Sequence, residues 1–274
     1  MIQWIPSLVY LALGLGLCAA GKAALGRRLG VDDELFRRDN AAVGLPVGAF
    51  YLAVLIALGG PLSASSSGSL LRDALGTLAW GAAALASILA GEWIARRTLF
   101  AGIELESELK KGNLSAGLVA AGSHAANGMV TLGAFAGDGG GALPAFVFWL
   151  YGQIWLAFAA KTLPLIMRAK LSHELRRDNR AAALAFTGAL LGAGNIVRIA
   201  VGGAFEGWSV GVAEATTYAA SGLALQFLVA ELADRALLPG ATLRSELVES
   251  PKPAVGAVLA LFHLGASILV GWAL

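Results

Sequence analysis

The sequence predicts an all-α, polytopic membrane protein with eight transmembrane helices, arranged as four parallel two-helix repeats with both termini outside. Three observations predict this fold class. Of the 274 residues, 57% are hydrophobic and only 14% are charged, whereas a soluble domain carries roughly 25% charged residues. The apolar residues form runs long enough to cross a bilayer core. The positive charges alternate between the segments that connect these runs.

Eight apolar runs account for most of the chain and leave no room for a separate soluble domain. No basic segment precedes the first run, and positive charges follow it, so we expect a retained helix and not a cleaved signal peptide. The single cysteine, Cys18, lies inside this run, which excludes a disulfide framework. The runs cover residues 2–21, 41–60, 74–95, 114–135, 142–164, 181–204, 208–230 and 253–273.

The distribution of positive charge predicts which ends of the helices face the cytoplasm. Of the 20 Lys and Arg residues, 18 lie at the inner ends of predicted helices 1, 3, 5 and 7 or in the loops that follow them. Lys and Arg are enriched on the cytoplasmic side of membrane proteins. Both termini are therefore expected outside. The exceptions are Arg72, in an outer loop, and Arg198, within predicted helix 6.

An internal repeat explains the recurrence of the tetrapeptide RRDN, which occurs at residues 37–40 and 176–179, 139 residues apart. The same spacing relates other residue types that are uncommon within membrane spans: Lys22 and Lys161, Glu92 and Glu231, His124 and His263. The chain is therefore predicted to be a tandem duplication of a four-helix unit. Because each unit has an even number of helices, the two halves have the same orientation.

A shorter period divides each half in two. The segments ELFRRDN, SELKKGN and HELRRDN precede predicted helices 2, 4 and 6, and a weaker copy, ELVESPK, precedes helix 8 with Lys252 in place of asparagine. We expect the four repeats to surround a pseudo-fourfold or a doubled pseudo-twofold axis. The predicted halves are residues 1–139 and 140–274, with repeats at about 1–66, 67–139, 140–206 and 207–274.

The asparagines of these segments are predicted helix caps. Asn40, Asn113 and Asn179 each stand immediately before an apolar helix, where an asparagine side chain accepts hydrogen bonds from the first free backbone N–H groups. The adjacent Arg and Lys residues are expected to meet anionic lipid headgroups at the inner surface. We favour this interpretation, a helix cap and lipid anchor, over a ligand site.

The repeated pattern resembles a known family. An apolar helix, a loop ending in EL-[RK]-[RK]-x-N and a helix of small residues are similar to a bacterial inner-membrane family catalogued as domain of unknown function 350 (YjfL-like proteins). Phe36 interrupts the pattern in the first repeat, and the fourth repeat matches it weakly. Members of that family usually carry two such repeats, so this chain resembles a fused double copy. The resemblance implies a multi-pass inner-membrane location and involvement in envelope stress, and it implies no catalytic residues.

Two histidines within the spans are the first candidate functional residues, because ionisable groups are costly in a bilayer. His124 and His263 occupy equivalent positions near the expected bilayer midplane and are surrounded by small residues. Three interpretations remain open. The two imidazoles could face each other and bind the iron of haem b, form a proton- or ion-conducting element, or make interhelical hydrogen bonds as core residues.

Two sets of charged residues are expected to pair. The first set alternates in sign near the inner surface and comprises Lys22, Glu92, Lys161 and Glu231. In a ring of four repeats these residues would form salt bridges between neighbouring repeats or surround a cytoplasmic mouth. The second set is Arg198 and Glu214, which lie near the outer ends of adjacent predicted helices and are expected to form an ion pair.

These features favour a small-solute, ion or proton pathway through the helix bundle. The alternatives are a haem-b-binding electron-transfer protein and a membrane scaffold that recruits a cytoplasmic protein partner through its basic inner loops in envelope stress. The sequence has no nucleotide-binding loop, nucleophile–base set or metal-ligand spacing, so neither enzymatic activity nor a metal site is expected. The lipid bilayer and a second copy in a homo-oligomer are the other partners considered, and nucleic acid is not expected.

Overall fold

The computed structural model describes residues 4–136, 140–166, 169–237 and 242–273, and these residues form helices joined by turns. The helices are α1 (Trp4–Leu29), α2 (Val31–Phe36), α3 (Ala41–Ala57), α4 (Gly59–Leu62), α5 (Leu70–Thr98), α6 (Leu105–Lys110), α7 (Leu114–Phe135), α8 (Ala142–Ile166), α9 (Leu171–Arg176), α10 (Arg180–Val201), α11 (Trp208–Leu237) and α12 (Pro253–Ala273), with a π-helical turn at Ser245–Glu249. Each repeat has two long helices joined by a short helical segment.

The short segments α2, α6, α9 and the π-helical turn contain the Glu-Leu pair of the repeated motif, where the sequence had predicted loops. Acidic residues occupy the first turn of each segment, where the helix dipole favours negative charge. The leucine of the motif anchors three of these segments in the protein interior, since Leu109, Leu175 and Leu247 are each at most 1% exposed.

The second long helices of the four repeats form the central row of the molecule. In chain order, α3 packs on α7, α7 on α10 and α10 on α12. The first long helices form a second layer along this row. α5 packs on α3 and α7, α8 on α7 and α10, and α11 on α10 and α12. The fold is therefore a two-layer array in which each repeat contacts its neighbours in sequence.

The central helices form an open row, and the expected ring around a pseudo-fourfold axis is wrong. α3 and α12 stand at the two ends and form no packing interface among the described residues. The reason is the angle between the two packing surfaces of each helix. On α10, Gly188 meets α12 and Gly194 meets α7. At about 100° per residue these glycines lie about 120° apart, whereas a closed ring of four needs roughly 90°.

Glycines allow the central helices to approach closely. A Cβ atom added to Gly117 would lie 2.6 Å from the carbonyl oxygen of Ala42, and one added to Gly128 would lie 2.6 Å from the Cα of Ala53. Neither position has room for a side chain, so the packing of α3 on α7 requires glycine at both. Small-residue contacts of this kind are typical of helix association in membranes. They leave no space for a channel between these two helices.

Six helices are long and apolar enough to cross a membrane, namely those at Trp4–Gly26, Ala41–Leu62, Leu70–Thr98, Ala142–Leu165, Arg180–Val201 and Pro253–Ala273. α7 and α11 are also long, with 22 and 30 residues, but they carry more polar side chains. Most of α7 is buried within the protein, so its Ser, His and Asn side chains contact other helices and not lipid tails. The described residues thus support a multi-pass membrane protein.

Replacing Gly128 with alanine is expected to destabilise the protein by about 1–3 kcal/mol, because the added methyl group overpacks the contact between α3 and α7. The measurement is unfolding of the purified protein by a denaturing detergent, followed by circular dichroism. Gly48→Ala in α3 is the matched control, since a Cβ there has no atom within 4 Å. Equal losses in the two variants would contradict the close packing of α3 on α7.

Candidate functional site

The asparagine of the repeated motif joins two successive repeats. Asn113 is the N-cap of α7, and its side-chain oxygen accepts a hydrogen bond from the backbone N–H of Ala116 at 2.9 Å. Its amide nitrogen donates to the Glu108 carboxylate at 2.9 Å and to the backbone carbonyl of Leu175, in the next repeat, at 2.6 Å. We name this set of a cap asparagine, the glutamate of its own repeat and the leucine carbonyl of the next repeat an asparagine junction.

The asparagine junction is repeated along the row. The corresponding groups are the Ala42 N–H, Glu34 and the Leu109 carbonyl for Asn40, and the Ala182 N–H, Glu174 and the Leu247 carbonyl for Asn179. In the fourth repeat Lys252 replaces asparagine, and its Nζ binds the Glu246 carboxylate at 2.6 Å. That repeat keeps the carboxylate contact but has no amide to donate to a leucine carbonyl.

The residue before the cap asparagine forms a tight turn and reaches a neighbouring helix. Asp39 and Asp178 adopt positive φ angles of 49° and 50°, a conformation that aspartate tolerates better than most residues. Gly112 takes the equivalent position in the second repeat, with φ 80°. The Asp178 carboxylate accepts a hydrogen bond from the backbone N–H of Ser115 at 2.8 Å. It therefore caps α7, the helix of the preceding repeat.

The cap asparagines were predicted from the sequence, but the Glu and Leu residues that bind them were not. The available signal was the pair Glu-Leu, which recurs before the second long helix of all four repeats. Glu34 and Glu174 are 3% and 2% exposed, and a buried carboxylate requires hydrogen-bond partners. The partners are the asparagine amide and a nearby side chain: Arg38 lies 3.1 Å from Glu34, and His173 Nδ1 lies 2.9 Å from Glu174. Arg177 forms a longer ion pair with Glu174 at 3.9 Å.

His124 lies in the interior of the first four-helix half. Its side chain is buried, and the ring of Phe50 meets the imidazole edge-on with centroids 5.7 Å apart. A cavity of about 20 Å³ adjoins His124 and is also lined by Glu92, Arg96 and Ser123. The imidazole therefore lies next to a small cavity that two oppositely charged side chains, Glu92 and Arg96, also line.

Glu92, which is buried, and Arg96, which is partly buried, form an ion pair near the C-terminal end of α5. The Glu92 carboxylate accepts hydrogen bonds from Arg96 Nε at 2.9 Å and from Arg96 Nη2 at 2.8 Å, and Arg28 Nη1 lies 3.9 Å away. Arg96 Nη1 also donates to Glu106 at 2.5 Å. These contacts link α5, α1 and α6 beside the cavity that His124 lines.

A chain of buried polar groups continues along α7 from His124 toward the C-terminal end of the helix. Asn127 Nδ2 donates to the backbone carbonyl of Ile88 at 2.9 Å, and Gln153 Nε2 donates to Asn127 Oδ1 at 2.9 Å. The hydroxyl of Thr131 donates to the backbone carbonyl of Asn127 at 2.8 Å. A second cavity of about 20 Å³ is lined by Ser123, Asn127 and Gln153. Ser123 lines both cavities and lies between the two sets of polar groups.

His263 is buried in α12 and has a different environment. Gln226 donates to the Ala189 carbonyl at 2.8 Å, and Asn195 donates to the hydroxyl of Ser267 at 3.3 Å. α7 and α12 pack on different faces of α10, while His124 points toward α3 and α5. The two imidazoles therefore do not face each other, as the haem interpretation would require.

The expected alternation of Lys and Glu around a ring is also wrong. Lys22 binds Asp32 at the start of α2, in its own repeat, because that carboxylate lies closer than Glu92. Glu92 binds Arg96. Lys161 is exposed on α8, and Glu231 lies near the inner end of α11. The described salt bridges of Lys22 and Glu92 therefore do not follow the expected alternation.

The ion pair expected between Arg198 and Glu214 is absent from the described residues. Arg198 Nε donates instead to Asn195 Oδ1 at 3.1 Å, one turn earlier on α10. Glu214 is exposed near the outer end of α11 and lines a cleft. A similar predicted depth in the membrane therefore did not bring the two side chains within ion-pair distance.

A family model matches the chain twice, at residues 1–135 and 139–274. Its description is Domain of Unknown Function (DUF350). The chain belongs to the DUF350 family. The resemblance and the fused double copy predicted from the repeats are thus confirmed in this DUF350 protein. The predicted boundary between the halves follows residue 139, and residues 137–139 lie outside the described residues.

A relative with a similar sequence is also a membrane protein. The UPF0719 transmembrane protein of Aquifex aeolicus (strain VF5) is 28% identical to this DUF350 protein over 133 residues. The match covers 48% of this chain and 50% of the relative, so it spans about half the length of each. No solved structure matches the chain.

Removal of the Asn113 side chain tests the asparagine junction. Asn113→Ala loses the cap of α7 and the two hydrogen bonds that the amide donates to Glu108 and to the Leu175 carbonyl. We expect a loss of about 2–4 kcal/mol, since a cap contributes about 1 kcal/mol and each further buried hydrogen bond about 1 kcal/mol. Detergent unfolding measures it. The control is Lys110→Ala, at an exposed neighbouring position; an equal loss there would contradict the junction.

The Glu108 carboxylate predicts a specific pH dependence. Hydrogen bonds from Asn113 and Lys111 hold the pKa of Glu108 below its ordinary value. A lowered pKa in the folded state stabilises the protein above the unfolded pKa of about 4.3, and this contribution disappears as pH falls through the lower folded value. We expect Glu108→Gln to be less stable than the wild type at pH 7, with a difference that shrinks below about pH 4.

Thermal unfolding of both proteins across this pH range measures the difference. Glu104→Gln is the control, because Glu104 is exposed and its side chain does not cap α6. This variant should follow the wild type at every pH. A Glu108→Gln difference that is constant with pH would contradict the proposed ionisation.

Proposed function

We propose that this DUF350 protein spans the bacterial inner membrane eight times, with both termini outside, and carries protons along α7. The topology extends the six apolar helices by α7 and α11, whose lengths of 22 and 30 residues suffice to cross a bilayer. The concentration of Lys and Arg in the connections at one end of the helices supports the orientation. The proposed activity is movement of an ion without a chemical conversion.

The observation that supports a pathway along α7 is the sequence of buried polar groups between Thr131 and the Glu92–Arg96 ion pair. Thr131, Asn127 and His124 lie at successive depths on α7, and Gln153 from α8 joins them. Polar side chains inside a membrane protein are costly and mark ion pathways and proton relays. On α7 these groups are three or four residues apart, which is about one helical turn.

The size of the cavities favours the proton over a larger solute. Each of the two cavities beside α7 measures about 20 Å³, enough for one water molecule, which needs roughly 10–15 Å³ on this measure. The glycine contacts leave no wider route between α3 and α7 themselves. A water in each cavity would connect His124 to Ser123 and to Asn127. Histidine is suited to pass a proton because it titrates near neutral pH.

The two halves of the chain are expected to contribute unequally. In the first half His124 adjoins a cavity and an ion pair. The equivalent His263 lines neither of the two cavities beside α7, and its Nδ1 is buried without a hydrogen-bond partner among the described residues. The pathway therefore follows α7, and the histidine of α12 serves as an internal control for the histidine of α7.

Proton flux into liposomes tests the pathway. Purified protein is reconstituted into vesicles that contain a pH-sensitive dye, and flux is driven by a potassium gradient with valinomycin. His124→Gln removes the titratable ring but keeps a polar side chain, and we expect flux to fall at least about tenfold. His263→Gln is the matched control and should retain wild-type flux.

A second variant tests the part of the pathway at Asn127 and Gln153. Asn127→Leu removes the amide that binds Gln153 and should also reduce flux, while size-exclusion chromatography checks that the protein remains folded. The proposal fails if wild-type vesicles are no more permeable to protons than empty vesicles. It also fails if His124→Gln and His263→Gln show the same flux.

A further inference from the structure

A cleft of about 210 Å³ opens at the outer ends of the helices, opposite the basic loops. Both halves of the chain contribute to it: the end of α7 and the start of α8 on one side, and the connection from α10 to α11 on the other. It is ten times larger than either cavity beside α7. The proposed proton pathway does not require a space of this size.

Aromatic rings line this outer cleft. They are Trp80, Phe135, Phe148, Phe205 and Tyr218. Several are held by edge-to-face contacts with one another: the Trp80 and Phe135 centroids are 5.5 Å apart, and those of Phe148 and Phe205 are 6.4 Å apart. Rings that support one another in this way keep their orientation. The faces of aromatic rings carry partial negative charge and attract cations.

Glu214 is the single charged side chain among the described residues that line the outer cleft. It is exposed, and no Lys or Arg among the described residues forms an ion pair with it. Arg198, the predicted ion-pair partner of Glu214, hydrogen-bonds to Asn195 instead. The cleft therefore combines an uncompensated carboxylate with aromatic walls. The equivalent residue of the first half is Leu75, so this charge belongs to the second half alone.

We propose that the outer cleft binds a small organic cation, an ammonium group with an apolar body, from the outer side of the membrane. The Glu214 carboxylate pairs with the positive charge, and the aromatic rings contact the methyl or methylene groups around it. A divalent metal ion fits less well, because Ca²⁺ takes six to eight oxygen ligands and Glu214 is the one carboxylate that lines the described part of the cleft.

The volume limits the size of the cation. Sites for drug-sized ligands have volumes of roughly 300–1,000 Å³, and the outer cleft is smaller, at about 210 Å³. A choline-sized molecule is therefore a suitable probe. This inference does not rest on the proton pathway, because none of the residues that line the outer cleft belongs to the polar groups between Thr131 and Arg96.

Choline binding to the purified protein tests the proposal. Titration is followed by isothermal calorimetry and by the fluorescence of the tryptophans, one of which lines the cleft. We expect saturable binding that Glu214→Gln weakens at least about tenfold, through loss of the charge-assisted contact. Trp80→Leu should weaken it roughly two- to thirtyfold, through loss of a ring that faces the cation.

Two controls make the test specific. Glu206→Gln makes the same change of charge at the same end of the molecule, in a residue that does not line the cleft, and should leave choline binding unchanged. The uncharged isostere of choline, in which carbon replaces nitrogen, should bind at least about tenfold more weakly than choline.

The proposal is overturned by any of three results. These are no saturable binding of choline by the wild-type protein, equal binding by wild type and Glu214→Gln, or equal affinity for choline and its isostere. Because Glu214 is exposed and its substitution removes no internal contact, the variant is expected to fold, and circular dichroism verifies this. None of these results bears on proton flux, so the two proposals can fail independently.

Discussion

Each central helix begins beside the next one because a single asparagine side chain serves two repeats at once. Asn113 caps α7 with its oxygen, while its nitrogen donates to Glu108 and to the Leu175 carbonyl of the following repeat. Loss of this side chain would remove the cap and both donated hydrogen bonds, each of which contributes about 0.5–1.5 kcal/mol. The asparagine junction therefore determines the relative depth of neighbouring helices.

That relative depth determines what the helices can do along their length. With the starts of α3 and α7 held together, Gly117 meets Ala42 and Gly128 meets Ala53, and the two helices are in contact from one end to the other. Such packing excludes a wide channel along the row. The polar groups and small cavities lie instead between the two layers, where α5 and α8 cover α7. A proton pathway is compatible with this packing, and a solute channel along the central row is not.

Features that depend on local sequence alone were predicted correctly. Asn40, Asn113 and Asn179 cap helices because a cap requires only the residue and the helix that follows it, and the double copy follows from a constant spacing. The roles of Glu108 and Leu175 could not be predicted in this way, since the Asn113 bond to Leu175 joins residues 62 apart.

The predictions of a closed ring and of its ion pairs were wrong for a related reason. A ring assumes an angle between packing faces, and that angle depends on where glycine occurs on both helices of a contact. Lys22 binds Asp32, a residue of its own repeat, and not Glu92 of the next repeat.

The direct test of the open row is a set of distances between equivalent segments of the repeats, measured by pulsed electron spin resonance in a Cys18→Ser background. With spin labels at Phe36, Lys110 and Val248, the open row predicts that the Phe36–Val248 distance clearly exceeds the Phe36–Lys110 distance. Equal distances would show a closed ring and contradict this account.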